Sequence, residues 1–189
     1  DNIGISGIEK SQNTLLRETK IPLQLTLDSD IQFLVRKELM RFNNVFQTKG
    51  SAAVLMNIDN GNILSLVSLP DFDPNKREDI KDKNYINKIT KGVYELGSVF
   101  KTFTLAAALD ENLIEVDTKF IDLEKSIDCG ENTIREYDKR IPKDLTAEEI
   151  LIRSGNIGSV RIGQKIGVEK FKKFLTKINL INKIEFDID

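Results

Sequence analysis

The spacing of apolar residues predicts amphipathic helices and one clear hairpin. Over 31–46 the apolar residues recur every three or four positions, which predicts a long helix. Asp28 stands just before it, where a residue that caps a helix is expected. Two apolar runs, 52–58 and 63–69, flank the pair Asn60-Gly61. Because Asn-Gly between such runs favours a tight turn, we expect these runs to form an antiparallel hairpin.

The remaining elements follow from shorter signals. Thr146 and Glu149 form a capping box, which predicts a short helix that ends near Arg153. A single hairpin has too few strands for a complete sheet. We therefore expect an α/β (α+β) chain in which helices surround an incomplete antiparallel sheet. The other expected segments are a helix at 8–17, a short strand at 21–27, irregular loops at 71–91 and 116–143, and two helices at 157–166 and 168–178 that Gly167 separates.

Composition narrows the possible chemistry. The chain has 189 residues, of which 40% are hydrophobic and 31% charged, as in a globular protein with a real core. Its net charge of -2 gives no general attraction to nucleic acid or anionic lipid, so we expect no nucleic acid partner. It contains no histidine, which excludes Ser-His-Asp and Cys-His nucleophiles and the usual zinc sites. Cys129 is the only cysteine, so no internal disulfide is possible, and we interpret it as a structural or loop cysteine because no histidine can activate it. No apolar run approaches the length of a membrane span, and no signal peptide opens the chain.

The stretch YELGSVFKTFTLAAALD places Ser98 at the start of a nearly all-apolar helix and Lys101 one turn inside it. One interpretation is purely structural: Ser98 caps a core helix and Lys101 reaches out to water. The other is catalytic, because residues three apart share a helix face. The field at the helix start and burial would both lower the pKa of Lys101. A neutral lysine can then take the proton of a serine that attacks a carbonyl group.

A second polar motif, Ser154-Gly155-Asn156, follows the capped helix. Taken alone, it is an ordinary turn that ends a helix. Its place in the chain favours the catalytic interpretation, because a hairpin, a serine helix and a capped helix precede it. Ser154 is then a candidate to relay a proton for Ser98 and Lys101.

With these motifs in order, the chain resembles the transpeptidase domain of a class B penicillin-binding protein of the cell-division (septal) type. The resemblance covers nearly the whole chain and implies a partial fold of the kind shared with serine β-lactamases. Residues 1–20 would end the family's pedestal or linker region, and 21–189 would form the N-terminal part of the transpeptidase domain. The stretches that carry it are SGIEKSQNTLLR, PLQLTLDSDIQ, GSAAVLMNIDNGNILSLVSLPDFDPN, YELGSVFKTFTLAAALD and LTAEEILIRSGNIGSVRIGQKIG.

The resemblance implies a role for each candidate residue. Ser98 would be the nucleophile, with Lys101 as its general base. It would be acylated by the D-Ala-D-Ala end of a peptidoglycan stem peptide or by a β-lactam. Ser154 would pass the proton toward the leaving group, and Asn156 would hold the substrate amide and bond to Lys101. The acyl group would then crosslink a neighbouring stem peptide, with no metal or organic cofactor. The whole protein would sit in the cytoplasmic membrane, with this domain on its outer (periplasmic) face among divisome proteins.

Three departures from the family pattern affect this interpretation. Leu96 stands where the family usually has proline, and Gly155 where it often has serine. The Lys-Thr-Gly or Lys-Ser-Gly motif has no match after Asn156, so we expect the chain to end before the strand that carries it. That strand would supply one oxyanion donor, whose loss typically costs about 100- to 1000-fold in rate. We therefore expect this chain by itself to be inactive.

Two other functions stay open. A serine β-lactamase or a β-lactam sensor would share both motifs. The stretch SGIEKSQNTLLR argues against a stand-alone lactamase, and so does the lack of a general-base glutamate in a Glu-x-x-x-Asn setting after Asn156. The second alternative is a non-catalytic module that binds divisome partners. The candidate catalytic residues are all intact, which argues against this alternative: Ser98, Lys101, Ser154 and Asn156.

Overall fold

The computed structural model describes residues 3–73, 75–76, 86–184 and 186–188. The described residues contain both helices and antiparallel strands, which agrees with the expected mixed α/β (α+β) class. The chain divides into two compact units: 1–94 with 185–189, and 95–184. Within the described residues no helix has the length and apolar character needed to cross a membrane.

The first unit is built on one long helix and one hairpin, both as predicted. The carboxylate of Asp28 accepts hydrogen bonds from the backbone N–H groups of Asp30 (3.0 Å) and Ile31 (2.9 Å), and so caps the long helix. The two strands pair antiparallel, with Ser51 opposite Leu69. The elements are α1 (Gly7–Ser11), α2 (Asn13–Glu18), α3 (Ser29–Phe46), β1 (Ser51–Met56) and β2 (Ile63–Leu69).

Two local predictions in this unit were wrong. The helix expected over 8–17 is two short helices, because the backbone at Gln12 leaves the helical region. The strand expected over 21–27 does not form, although Thr26 and Asp28 each donate a hydrogen bond to a backbone carbonyl of β2. Pro22 lacks an N–H group, so it cannot donate to a ladder. The expected loop over 71–91 lies partly outside the described residues.

The second unit consists of helices and small two-stranded sheets. The segment 116–143, expected to be extended and irregular, also contains short strands that pair antiparallel. The capping box is present: Thr146 Oγ1 accepts from the N–H of Glu149, and the Glu149 carboxylate accepts from the N–H of Thr146. The elements are α4 (Lys101–Asp110), β3 (Lys119–Phe120), β4 (Ser126–Cys129), β5 (Asn132–Arg135), β6 (Leu145–Thr146), α5 (Ala147–Ile152), α6 (Asn156–Ile166) and α7 (Val168–Lys177).

The core of this unit lies where α4, α5, α6 and α7 meet. Ala107, Ala147 and Ile157 are fully buried in it. Gly158 lets α6 approach α5 closely, because a Cβ atom there would lie 2.6 Å from Ile150 Cγ1. Lys177 of α7 binds Asp110 at the end of α4 (2.9 Å). The core therefore fixes the positions of α4 and α6, which carry the candidate residues.

Candidate active site

Ser98 lies in a tight 3-10 turn, Gly97–Phe100, that runs directly into α4. Gly97 has a φ of 57°, in the left-handed region that glycine tolerates best. The backbone N–H of Lys101 donates to the Ser98 carbonyl, so the two residues are one helical turn apart. The Ser98 side chain is exposed. Leu96 has a φ of -64°, close to the angle that proline would impose, so this entry of the helix is compatible with either residue.

Lys101 is the centre of the site. Its ammonium group donates to the Ser154 carbonyl (2.6 Å), to Ser154 Oγ (3.2 Å) and to Asn156 Oδ1 (2.6 Å). The side chain is half-buried, so Lys101 does not extend into water as the structural interpretation required. The fold thus brings together three of the four candidate residues from two distant parts of the sequence.

Ser154 has an unusual backbone for a serine. The N–H of Ser154 donates to the Leu151 carbonyl and that of Gly155 to the Ile150 carbonyl, both at 2.9 Å, which is the Schellman pattern at the end of α5. The left-handed position of this motif usually belongs to glycine, yet Ser154 occupies it with a φ of 52°. Gly155 itself has an ordinary extended backbone. This turn is what aims both the carbonyl and the hydroxyl group of Ser154 at Lys101.

Asn156 is the first residue of α6 and is held on both sides. Its side-chain nitrogen donates to the Arg135 carbonyl at 2.7 Å, which leaves Oδ1 to face Lys101. Its backbone N–H donates to Glu136 Oε2 at 2.8 Å, and the N–H of Ile157 donates to Glu136 Oε1 at 3.0 Å. A Cβ atom at Gly155 would be 3.6 Å from Glu136 Oε1, an ordinary contact, so the serine common in the family would also fit.

The sequence analysis did not identify Glu136. Helix α6 begins after a glycine, and no side chain next to it in sequence caps its first N–H groups. Such a helix start needs an acceptor from elsewhere in the chain. That requirement was the available signal, but it does not say which distant carboxylate meets it.

Two opposing effects act on the charge of Lys101. Burial is the larger and lowers the pKa of Lys101 below its ordinary value, in the direction expected from the sequence. The negative charge of Glu136 raises the same pKa. Lys101 therefore loses its proton more readily than an exposed lysine, and Glu136 limits that effect. Among the described residues no cluster of metal-binding side chains is found.

An exposed serine at a helix start, next to a half-buried lysine bonded to a second serine and an asparagine, indicates the class of serine acyltransferases that use lysine in place of histidine. The family model of the penicillin-binding protein transpeptidase domain matches residues 51–189. The chain belongs to this family, and its relatives place it among the class B penicillin-binding proteins.

Curated relatives and solved structures agree with this assignment. The chain is 28% identical over 189 residues to the probable peptidoglycan D,D-transpeptidase FtsI of Caulobacter vibrioides, covering 98% of this chain and 32% of the relative. It is 30% identical over 169 residues to the stage V sporulation protein D of Bacillus subtilis, covering 89% and 26%. The chain thus spans between about a quarter and a third of the length of these relatives.

The fold matches solved transpeptidase structures. The D,D-transpeptidase domain of a peptidoglycan glycosyltransferase from Eggerthella lenta aligns with a TM-score of 0.80 and 26% identity, over 97% of this chain and 44% of that one. Penicillin-binding protein 3 of Mycobacterium tuberculosis aligns with a TM-score of 0.79 and 25% identity, over 92% and 41%. These matches confirm the expected partial penicillin-binding-protein fold.

Proposed function

We propose that the whole protein is a peptidoglycan D,D-transpeptidase that works through an acyl-enzyme on Ser98. The observation that carries this proposal is the hydrogen-bonded set of Lys101, Ser154 and Asn156, one helical turn from Ser98. The names of the relatives, among them peptidoglycan D,D-transpeptidases, support the same reaction.

The first half-reaction forms the acyl-enzyme. Lys101, in its neutral form, accepts the hydroxyl proton of Ser98 as Ser98 Oγ bonds to the carbonyl carbon of the penultimate D-alanine. The amide bond to the terminal D-alanine then breaks. Ser154 lies within hydrogen-bonding distance of Lys101, so its hydroxyl can pass the proton to the leaving nitrogen. Asn156 bonds to Lys101 and holds the substrate amide beside the nucleophile.

In the second half-reaction an amine of a neighbouring stem peptide attacks the Ser98 ester. A new amide bond forms, the ester bond breaks, and Ser98 recovers its proton. The two stem peptides are then crosslinked. A β-lactam acylates Ser98 by the same first step, but its ring opens without releasing a leaving group, so the adduct is long-lived.

The cellular setting is part of the same proposal. The FtsI names among the relatives support a role in cell division, with divisome proteins as partners. We place the whole protein at the cytoplasmic membrane with this domain on the outer side. We also retain the assignment of 1–20 to the end of a pedestal or linker region and of 21–189 to the transpeptidase domain.

The test is intact-mass spectrometry of the full-length protein after incubation with benzylpenicillin, beside a Ser98→Ala variant. We expect a stable adduct on the wild type and none on Ser98→Ala. Release of D-alanine from a stem pentapeptide, lost in the same variant, would support the transpeptidase reaction. Rapid hydrolysis of the β-lactam would instead support the lactamase alternative. No adduct on the wild type would contradict the proposal and favour the non-catalytic module.

A further inference from the structure

Helix α6 starts without a side-chain cap of its own, although its first residue, Asn156, belongs to the site. Gly155, at the cap position, has no side chain to offer. The Glu136 carboxylate instead accepts from the backbone N–H groups of both Asn156 and Ile157, one with each oxygen. A carboxylate at this position also interacts favourably with the helix dipole. Glu136 therefore fixes the start of α6 at two points.

The residues next to Glu136 hold the same turn. The Arg135 carbonyl accepts from the Asn156 side chain at 2.7 Å. The Tyr137 hydroxyl donates to the Arg153 carbonyl at 3.0 Å. We call residues 135–137 the brace, because they bind the chain on both sides of Ser154. The three oxygens that face Lys101 thus belong to a turn whose two ends are fixed from outside.

Glu136 also provides the negative charge that acts on Lys101. Lys101 lines a small cavity whose other lining residues are uncharged and come from three helices: Thr104 and Leu105 of α4, Ala147, Ile150 and Leu151 of α5, and Ser159 and Ile162 of α6. The groups bonded to its ammonium, on Ser154 and Asn156, are neutral as well. Glu136 is the charged group whose field raises the pKa of Lys101. The carboxylate therefore influences both the geometry and the charge of the site.

We propose that Glu136 is a positioning residue of the acyl-transfer site, whose carboxylate holds the turn that carries Ser154 and Asn156 against Lys101. This inference rests on the proposed function. A cap that only stabilises the fold would affect the amount of folded protein, but not the pH at which Lys101 becomes a base.

The main test is the rate of acylation of the full-length protein by benzylpenicillin as a function of pH. We expect Glu136→Gln to lower the maximal rate by about 10- to 100-fold, because the site loses its alignment. The acidic limb of its pH profile should move to lower pH, since the charge that raises the pKa of Lys101 is gone. Glu136→Asp keeps the charge but is one methylene shorter, so its rate should fall while its limb stays near that of the wild type.

Glu149→Gln is the matched control, because Glu149 also caps a helix of the same unit but bonds to Thr146, outside the candidate site. This control variant should leave the acidic limb of the pH profile at the same pH as in the wild type. An unmoved limb in Glu136→Gln, or an equal shift in Glu149→Gln, would overturn the proposal.

Hydrogen exchange gives a readout that does not need acylation. The N–H groups of Asn156 and Ile157 should exchange slowly in the wild type and faster in Glu136→Gln, but not in Glu149→Gln. Unchanged exchange in Glu136→Gln would refute the brace. If the wild type is not acylated by benzylpenicillin at all, the proposed function fails, and exchange still decides whether Glu136 holds the start of α6.

Discussion

Ser154 sits in a backbone conformation that its side chain disfavours, and this makes a sharp prediction about stability. A residue with a Cβ atom in the left-handed region costs roughly 1–2 kcal/mol, whereas glycine does not incur this cost. Ser154→Gly and Ser154→Ala both remove the hydroxyl bonded to Lys101. The difference between the two variants therefore isolates the backbone. We expect the glycine variant to have a free energy of unfolding about 1 kcal/mol higher than the alanine variant.

The control uses the same pair of substitutions at an ordinary helical serine. Ser159 lies inside α6, and its hydroxyl donates to the Gly155 carbonyl at 2.7 Å. In a helix interior glycine is less favourable than alanine by about 1 kcal/mol, so the order of the two variants should reverse at this position.

Urea denaturation of the four variants, followed by circular dichroism, measures these differences. Equal stability of the two Ser154 variants, or greater stability of the alanine variant, would refute the conclusion that Ser154 is strained. Acylation by benzylpenicillin should fall in both Ser154 variants. Together these results would mean that the chain keeps a strained serine where glycine would be more stable.

Three further predictions concern packing, capping and charge. Gly158→Ala should lower the free energy of unfolding by about 1–3 kcal/mol, because the new Cβ would lie 2.6 Å from Ile150 Cγ1. Gly163→Ala, whose nearest neighbour would be 3.9 Å away, should raise it by up to about 1 kcal/mol; the opposite order in urea denaturation would contradict this packing. Asp28→Ala removes the cap of α3 and should lower the free energy of unfolding by about 1 kcal/mol, with a matching loss of helical circular dichroism on heating. Because the pKa of Lys101 is lower in the folded state, the folded protein loses the Lys101 proton at a lower pH than the unfolded chain does. In the pH range just below 10.5 the unfolded state therefore binds more protons than the folded state, and the free energy of unfolding should increase with pH over that range. Lys101→Met should lose this increase, and a slope equal to that of the wild type in unfolding curves at several pH values would contradict it.

The elements that the sequence predicts correctly are those with local signals. The cap at Asp28, the capping box that Thr146 opens, the turn at Asn60-Gly61 and the break at Gly167 each involve residues a few positions apart. The short strands between 116 and 143 are different, because each has two to four residues and depends on a partner strand. A pattern so short cannot be distinguished from a loop by periodicity alone.

The same distinction applies to the site. Ser98 and Lys101 are one helical turn apart, so their spacing alone predicts that they share a face, but it does not distinguish a functional pair from a capped core helix. Their association with Ser154 and Asn156 was inferred from a family resemblance, since more than fifty residues separate the two motifs; the structure places Lys101 in direct contact with both. Glu136 carries no motif, and its partners are 20 and 21 positions further along the chain. Only the folded arrangement reveals it.

The three oxygens around Lys101 allow the site to keep its hydrogen bonds when Lys101 changes its protonation state. A charged lysine has three N–H donors and no acceptor, whereas a neutral one has two donors and a lone pair. The Ser154 carbonyl and Asn156 Oδ1 can only accept, but the Ser154 hydroxyl can either accept or donate. When Lys101 loses its proton, a rotation of that single hydroxyl reverses one hydrogen bond, so that the lone pair stays paired until the Ser98 hydroxyl replaces Ser154 as its donor. Both charge states of Lys101 therefore fit the same heavy-atom framework, without movement of the backbone.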